Sequence, residues 1–336
     1  MREMTVLDEL DRGLLHALHL DARAPFTKIA AVLGTSTQTV TRRYQRLTRE
    51  AGLRVTGLPD PAGTRGQQWI VRLTAAPSTA HDIAHALARR DDTAWVRLTS
   101  GGTEIVAIVR AEPGAGNSLL LRDIPRTASV TSVSAHYLLH TYLGGPTAWR
   151  GHLDALSPAQ QRELSRPAPT GEPVELGETD RVLLAALAQD GRAGYTALAA
   201  ATGWSASTVA RRVDELRGRG ALFFDVEIDD ALLGITASAL LWMSVPPVHL
   251  DAVATELARH AELAVVAATT GRTNLLSIAL CADTGALHRY LTTRLALPAI
   301  THLETAPILR TLKAVAPLVT PAGAASVRAG RGRPVR

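Results

Sequence analysis

The sequence predicts an α+β chain in which one unit is written twice: a tri-helical helix-turn-helix head followed by a ferredoxin-like β-α-β-β-α-β section. Three observations carry this. FTKIAAVLGTSTQTVTRRYQRL, Phe26 to Leu47, aligns without a gap on YTALAAATGWSASTVARRVDEL, Tyr195 to Leu216, at an offset of 169 positions. Each stretch follows a leucine-rich segment with an acidic start, LDELDRGLLHALHLDAR from Leu7 and LGETDRVLLAALAQDGR from Leu176. Each is followed by a run of strand-like and helix-like patterns, where the offset becomes 170 and Ser100-Gly101-Gly102-Thr103-Glu104 lands on Thr270-Gly271-Arg272-Thr273-Asn274. The one-residue slip falls between head and sheet, where a loop absorbs it.

In the first copy, Leu7, Leu10, Leu14, Leu15 and Leu18 recur at helical spacing, and Asp8, Glu9 and Asp11 crowd the first turn, where the helix dipole favours acids. A second helix is expected from Thr27 to Leu33, ended by Gly34, and a third from Thr37 to about Glu50, capped by Ser36. Leu53 to Gly66, with three glycines and two prolines, reads as a wing or connector. Strands are expected at Gln68 to Thr74, Thr93 to Thr99, Glu104 to Arg110 and Val130 to Leu139. Helices are expected at Ala80 to Arg90 and at Gly116 to Ile124. Residues 144–175, rich in proline and glycine with few apolar positions, read as a linker. The domain boundaries that follow are 1–58 and 176–230 for the heads, 62–143 and 231–316 for the sheet sections. Residues 317–336, with four arginines and no acid, read as a disordered basic tail.

Composition narrows the function classes. Apolar residues make up 46 % of the chain, enough for real cores, and a single cysteine, Cys281, excludes an internal disulfide and a thiolate metal site. That suits a reducing compartment, the cytoplasm. No signal run opens the sequence and no stretch has the length of a membrane span. The richest apolar run, Ala237 to Val248, reads as a buried strand. A net charge of +5 is compatible with nucleic acid without proving it. No nucleotide-type glycine loop or HExxH is present. His81 and His85 stand four apart on a helix without a carboxylate partner, so neither a metal nor a cofactor is expected.

On a helical wheel, Val40, Tyr44 and Leu47 of the third helix share a narrow inward stripe, with Gln38, Arg42, Gln45 and Arg49 opposite. In the second copy Val209, Val213 and Leu216 point in, and Ser207, Arg211 and Asp214 point out. Arginine and glutamine can read base edges in the major groove of double-stranded DNA, so Gln38, Arg42, Ser207 and Arg211 are the expected base readers. Ser36, Thr37, Arg46 and Ser205 are placed for phosphate. Thr41, Gln45 and Thr208 complete the candidate DNA-binding set, with Arg43 and Arg212. Those two arginines have a second reading, pairing with first-helix acids Asp11 or Asp180. The faces differ, because Asp214 would repel phosphate or accept from a cytosine amine, so the heads are expected to read different half-sites or the second to bind less tightly.

At these residues the sequence resembles the Lrp/AsnC family of prokaryotic transcriptional regulators. LDELD with Arg23 and IAAVLGTSTQTVTRRYQRL carry the likeness in copy one. LGETD, DGR at 190–192 and LAAATGWSASTVARRVDELRGRGAL carry it in copy two. The resemblance implies winged helix-turn-helix heads, a ferredoxin-like effector and assembly domain, and regulation by an amino acid or other small metabolite. It places the effector at Thr270, Gly271, Arg272, Thr273 and Asn274, with Asn274 where the family usually has Asp, and at Gly101, Gly102, Thr103 and Glu104 in copy one. Family members pair sheet to sheet. The joined halves are therefore expected to form an internal pseudo-dimer, each raising the other's effective concentration, with further homo-oligomerisation through sheet edges. The alternative is a metabolite-binding or heme-pathway regulatory protein with degenerate heads.

Overall fold

The computed structural model describes residues 6–64, 66–111, 119–144, 153–170 and 172–314. The expected basic tail lies outside them. Head one is α1 (Glu9–Leu20), α2 (Phe26–Val32) and α3 (Thr37–Glu50). Head two is α7 (Glu178–Gln189), α8 (Tyr195–Thr202) and α9 (Ala206–Gly218). In both, the turn before the third helix needs a positive φ, 64° at Gly34 and 76° at Gly203, which only glycine adopts without strain. The strand that follows each third helix, β1 (Arg54–Pro59) and β6 (Leu222–Glu227), pairs antiparallel with its counterpart, Arg54 opposite Glu227 through Pro59 opposite Leu222. A single helical turn, α4 (Pro61–Thr64), follows β1. β1 packs on α7 of the other head, and β6 packs on α1. The heads are therefore one body.

The first sheet section contains β2 (Gln67–Ala75), β3 (Thr93–Thr99), β4 (Glu104–Ala111) and β5 (Val130–Leu143). The second contains β7 (Ala237–Ser244), β8 (Leu263–Thr269), β9 (Leu275–Cys281) and β10 (His302–Lys313). Strand order is the same in both halves, β3-β4-β2-β5 and β8-β9-β7-β10, and the two sheets join into one closed eight-stranded barrel. Two long strands make the joint. β5 pairs with β2 through Tyr137 and then with β8 from Leu138 to Leu143. β10 pairs with β7 from His302 to Pro307 and then with β3 from Ile308. Each long strand thus changes partner midway, which closes the ring, while each of its halves pairs with a barrel strand on one side.

Alternation along the strands divides the core. On β7, Ala239, Leu241 and Met243 face the helix side, where α10 (Pro247–Leu257) and α11 (Thr284–Thr292) lie, while Leu240 and Trp242 belong to the central cluster. In the first half, α5 (Ala80–Ala88) covers Val71, Leu73, Ile105 and Val109. The helix expected at Gly116 to Ile124 is not an α-helix where it is described: Leu119–Asp123 form a single π turn, and 116–118 lie outside the described residues.

Residues 144–175 depart from the reading as a simple linker. Helix α6 (Pro158–Leu164) forms there behind a Ser157–Gln160 capping box, and Leu153, Leu156, Leu164 and Val174 are buried in the same cluster as the heads. Gln160 Nε2 donates to the Val32 carbonyl at 2.7 Å and the Ala155 amide reaches His16 Nδ1 at 3.2 Å. A three-helix head buries little on its own, and this segment supplies the missing apolar cover.

Candidate nucleic-acid interface

Each third helix is fixed from its N-terminus. Ser36 Oγ accepts the Thr39 amide and Ser205 Oγ accepts the Thr208 amide, both at 3.1 Å, so each hydroxyl caps its helix. Val40 and Leu47, and Val209, Val213 and Leu216, are buried as the wheel required. Tyr44 is half-buried against Phe26, ring centroids 5.2 Å apart. Ser36, Thr37, Gln38, Arg42, Gln45 and Arg49 are exposed on head one, and Ser205, Ser207, Arg211 and Asp214 on head two. Thr41, whose hydroxyl donates to the Thr37 carbonyl at 2.9 Å, and Thr208 are half-buried.

The arginines divide into two kinds. Arg43 donates to Asp8 and, at 3.1 Å, to Asp11, and Arg46 donates to Asp11, which is fully buried. Arg212 grips Asp180 through Nε at 2.8 Å and Nη2 at 2.7 Å, and meets Glu215 at 2.9 Å. Asp11 and Asp180 also close the first turn of α1 and α7, so each carboxylate ties a helix start to a reading helix. Burial pushes the Asp180 carboxyl up, but the hydrogen bonds from Arg212 and the Gly177 amide outweigh it and hold the group below its ordinary value. The same bond to Asp180 raises the Arg212 guanidinium. For Arg43 and Arg212 the pairing with first-helix acids is therefore what the geometry has, and Arg46, expected on phosphate, shares that role. Among the described residues, Arg42 and Arg211 have no ion pair. They stand at equivalent positions in matching shallow clefts, one lined by Asp8, Arg43 and Arg46, the other by Asp180, Arg212 and Glu215.

The two family-type turns lie where the halves of the barrel meet. In copy one, Gly102 is beside Leu309 of β10, and Thr103 leads into Glu104. Glu104 is 6 % exposed and saturated: it accepts from Arg72, from Thr99 at 2.6 Å and from Ser100 at 2.9 Å. Arg72 also reaches Glu304 of the other half, at 3.0 Å through Nη1. In copy two, Thr270 pairs with Tyr137 of the first half through its amide at 3.0 Å and its hydroxyl at 2.9 Å. Gly271 sits so close to His136 that a Cβ would come within 2.4 Å of the ring. Asn274 clasps both the amide and the carbonyl of Val245, at 2.9 and 2.8 Å, and Thr269 donates to the Thr273 carbonyl at 3.0 Å. The Arg272 side chain is exposed.

Comparison with known proteins decides the family. A model of the AsnC-type helix-turn-helix domain matches residues 7–48 and again 176–217, and a model of the Lrp/AsnC ligand binding domain matches 238–318. The transcriptional regulator LrpA of Pyrococcus abyssi is 30 % identical over 138 residues, 40 % of this chain and 97 % of that protein. The chain belongs to the Lrp/AsnC family. The regulator FL11 of Pyrococcus horikoshii is 28 % identical over 42 % of the chain and 93 % of its own length, so each of these relatives has the length of one half of this Lrp/AsnC protein. A crystal structure of the siroheme decarboxylase NirDL in complex with an iron-uroporphyrin III analogue covers 92 % of the chain and 93 % of its own, with a TM-score of 0.61 and 13 % identity. It shares the fold of this Lrp/AsnC chain from head to barrel, and at that identity the likeness is one of fold alone. Among the described residues no group of three or more His, Cys, Asp or Glu is placed to hold a metal ion, and no helix is long and apolar enough to cross a membrane.

Proposed function

We propose that this chain is a cytoplasmic, sequence-specific transcriptional regulator that reads two non-identical half-sites of double-stranded DNA with α3 and α9. One observation carries the reading. Arg42 and Arg211 occupy equivalent exposed positions and have no ion pair among the described residues, while the arginines beside them are bound to buried carboxylates. A surface whose framework cations are already neutralised, with Arg42 and Arg211 at equivalent outward positions, suits direct readout in the major groove. Gln38, Gln45 and Ser207 extend that surface, and Ser36, Thr37 and Ser205 lie near the helix starts, where phosphate is favoured.

The barrel supports a pseudo-dimer inside a single chain. Both halves share one strand order, and the joints β5–β8 and β10–β3 are related as the two halves of an isologous interface are. We read the first half's sheet as a diverged second copy of the ligand-binding domain. Of the two turns, the one at 270–274 is the better effector site, because Glu104 spends its carboxylate on its own chain while Arg272 remains exposed for a carboxylate ligand.

A mobility-shift assay with the intergenic duplex upstream of the gene tests the reading. Retarded complex with the wild type, abolished when Arg42 and Arg211 are both replaced by alanine, is the expected result. Absence of binding, or full binding by the double variant, overturns it. The fold shared with a siroheme decarboxylase sets the control: an iron tetrapyrrole titrated into the protein is expected to leave its visible spectrum unchanged. A spectral shift without any DNA complex would favour the heme-pathway alternative.

A further inference from the structure

The outward face of α9 carries an acid that α3 lacks. Asp214 is 69 % exposed on the same face as Ser207 and Arg211, and its counterpart in head one is Gln45. A carboxylate there repels a phosphate backbone. The structure supplies a partner from outside the head. Arg166, in the segment that joins the two halves, donates through Nη2 to Asp214 Oδ1 at 2.7 Å.

This is not an isolated side-chain contact, because the backbone is fastened as well. After Arg166 the segment runs along α9 toward its C-terminus, where the Thr170 amide donates to the Gly218 carbonyl at 2.9 Å. Pro169 packs on Gly220, 3.1 Å from where a Cβ would stand. Two prolines, Pro167 and Pro169, fix φ and keep the stretch extended. Ser165 to Thr170 are all exposed, yet they are tethered to a reading helix. An ion pair between side chains 38 % and 69 % exposed adds little to stability. Its consequence is electrostatic, since it cancels the negative charge on the reading face. Of the five N–H donors of a guanidinium, one is used on Asp214, which leaves others for a phosphate oxygen.

We propose that residues 165–170 form an arm of head two's DNA interface, in which Arg166 neutralises Asp214 and contacts a backbone phosphate beside the groove that α9 reads. The inference rests on the DNA-binding reading above and gives head two a phosphate anchor of its own.

The test uses the full chain and the upstream duplex, with affinity measured by fluorescence anisotropy across a salt series and the bound region mapped by hydroxyl-radical footprinting. Arg166→Ala is expected to weaken binding by roughly three- to tenfold and to lower the log–log salt slope by about 1, as for the removal of one phosphate partner. Footprint protection should weaken only over the half-site that Arg211→Ala also loses. Arg166→Ala with Asp214→Ala should recover part of the affinity, by removing the exposed acid, and none of the slope. Equal melting temperatures of all variants are expected, since these side chains are on the surface. An Arg166→Ala protein with wild-type affinity and slope, on a duplex that Arg42→Ala binds more weakly, overturns the arm and leaves the DNA reading standing. A wild type that binds no duplex overturns both.

Discussion

Arg23 and Arg192 are each other's counterpart, and each holds the turn that carries the other. Arg23 donates to the carbonyls of Gly191 at 2.6 Å and Ala193 at 3.0 Å, and Arg192 donates to those of Ala22 and, at 3.0 Å, Ala24. Arg23 lies 4.9 Å over the Tyr195 ring and Arg192 4.3 Å over Phe26. A planar fork that satisfies two carbonyls and stacks on an aromatic face is a task lysine cannot perform. Together with the β1–β6 pair, this clamp fixes the distance between the two reading helices.

Replacing Arg192 by alanine should therefore cost about 2–4 kcal/mol, because it removes charged hydrogen bonds and a cation–π interaction at once. Lysine should recover only part of it. Urea unfolding checks the magnitude. The same variant should also tolerate half-site spacings that the wild type rejects, measured with duplexes carrying small insertions between the half-sites.

Much of this was legible in the sequence, and the exceptions share a cause. The repeat located both heads, and the wheel separated Val40 and Leu47 from Arg42 and Gln45, because helical periodicity is a local property. Helix α3 spans Thr37–Glu50, as its cap and charge pattern required. The misses depend on partners far away in the chain. The strand-like pattern of β5 stops at Leu139, but the strand runs to Leu143 because its second half pairs with β8 of the other copy, and the polar His140 and Thr141 give no strand signal of their own. Leu153, Leu156 and Leu164, scattered among prolines, show no stripe until α1 and α2 are folded beside them. The wheel puts Arg46 toward phosphate and gives Arg166 no role, since it yields an angle and says nothing of which carboxylate waits there.

The two kinds of arginine on the reading helices should separate experimentally. Arg42→Ala and Arg211→Ala should leave the melting temperature unchanged, and each should weaken operator binding by about 1–3 kcal/mol, the worth of a good base contact. The losses should differ in size and relax sequence preference at different positions. Arg212→Ala should instead lower stability by about 3 kcal/mol or more, because it strands the largely buried Asp180. Calorimetry beside anisotropy titrations distinguishes these outcomes. Equal losses for Arg42 and Arg211 with unchanged preference would sink the idea of two different half-sites.

Between the heads, Thr56 of β1 stands opposite Asp225 of β6, both buried. Burial, with Glu227 nearby, pushes the Asp225 carboxyl up to about 7. The unfolded chain releases that proton near pH 4, so between about pH 4 and 7 the folded state holds more protons and stability falls as pH rises. Asp225→Asn removes this dependence. Its melting temperature should match the wild type near pH 4.5 and exceed it by several degrees at pH 8, where the buried carboxylate, held by the Val226 amide, is charged. His19, held down at about 4 by burial, titrates in both proteins and cancels in the difference. A constant gap across the pH range would place the charge of Asp225 elsewhere.

The two effector-type turns should respond differently to substitution, and this bears on how the protein is regulated. Glu104 is buried, saturated and linked through Arg72 to Glu304 across the halves. Glu104→Gln keeps the shape but removes the charge that Arg72 faces, so it should destabilise the barrel joint by about 2–4 kcal/mol without altering any ligand response. Arg272 is exposed, so Arg272→Ala should leave the melting temperature within a degree. A ligand at 100 times its dissociation constant stabilises the native state by about 2.7 kcal/mol, which a thermal-shift screen of amino acids and other small carboxylates detects. Any compound that raises the wild-type melting temperature should do so in Glu104→Gln and fail in Arg272→Ala. Gly271→Ala should fail too, because the added methyl drives into the His136 ring and displaces the turn. A ligand that stabilises Arg272→Ala as well as the wild type would locate the effector away from 270–274.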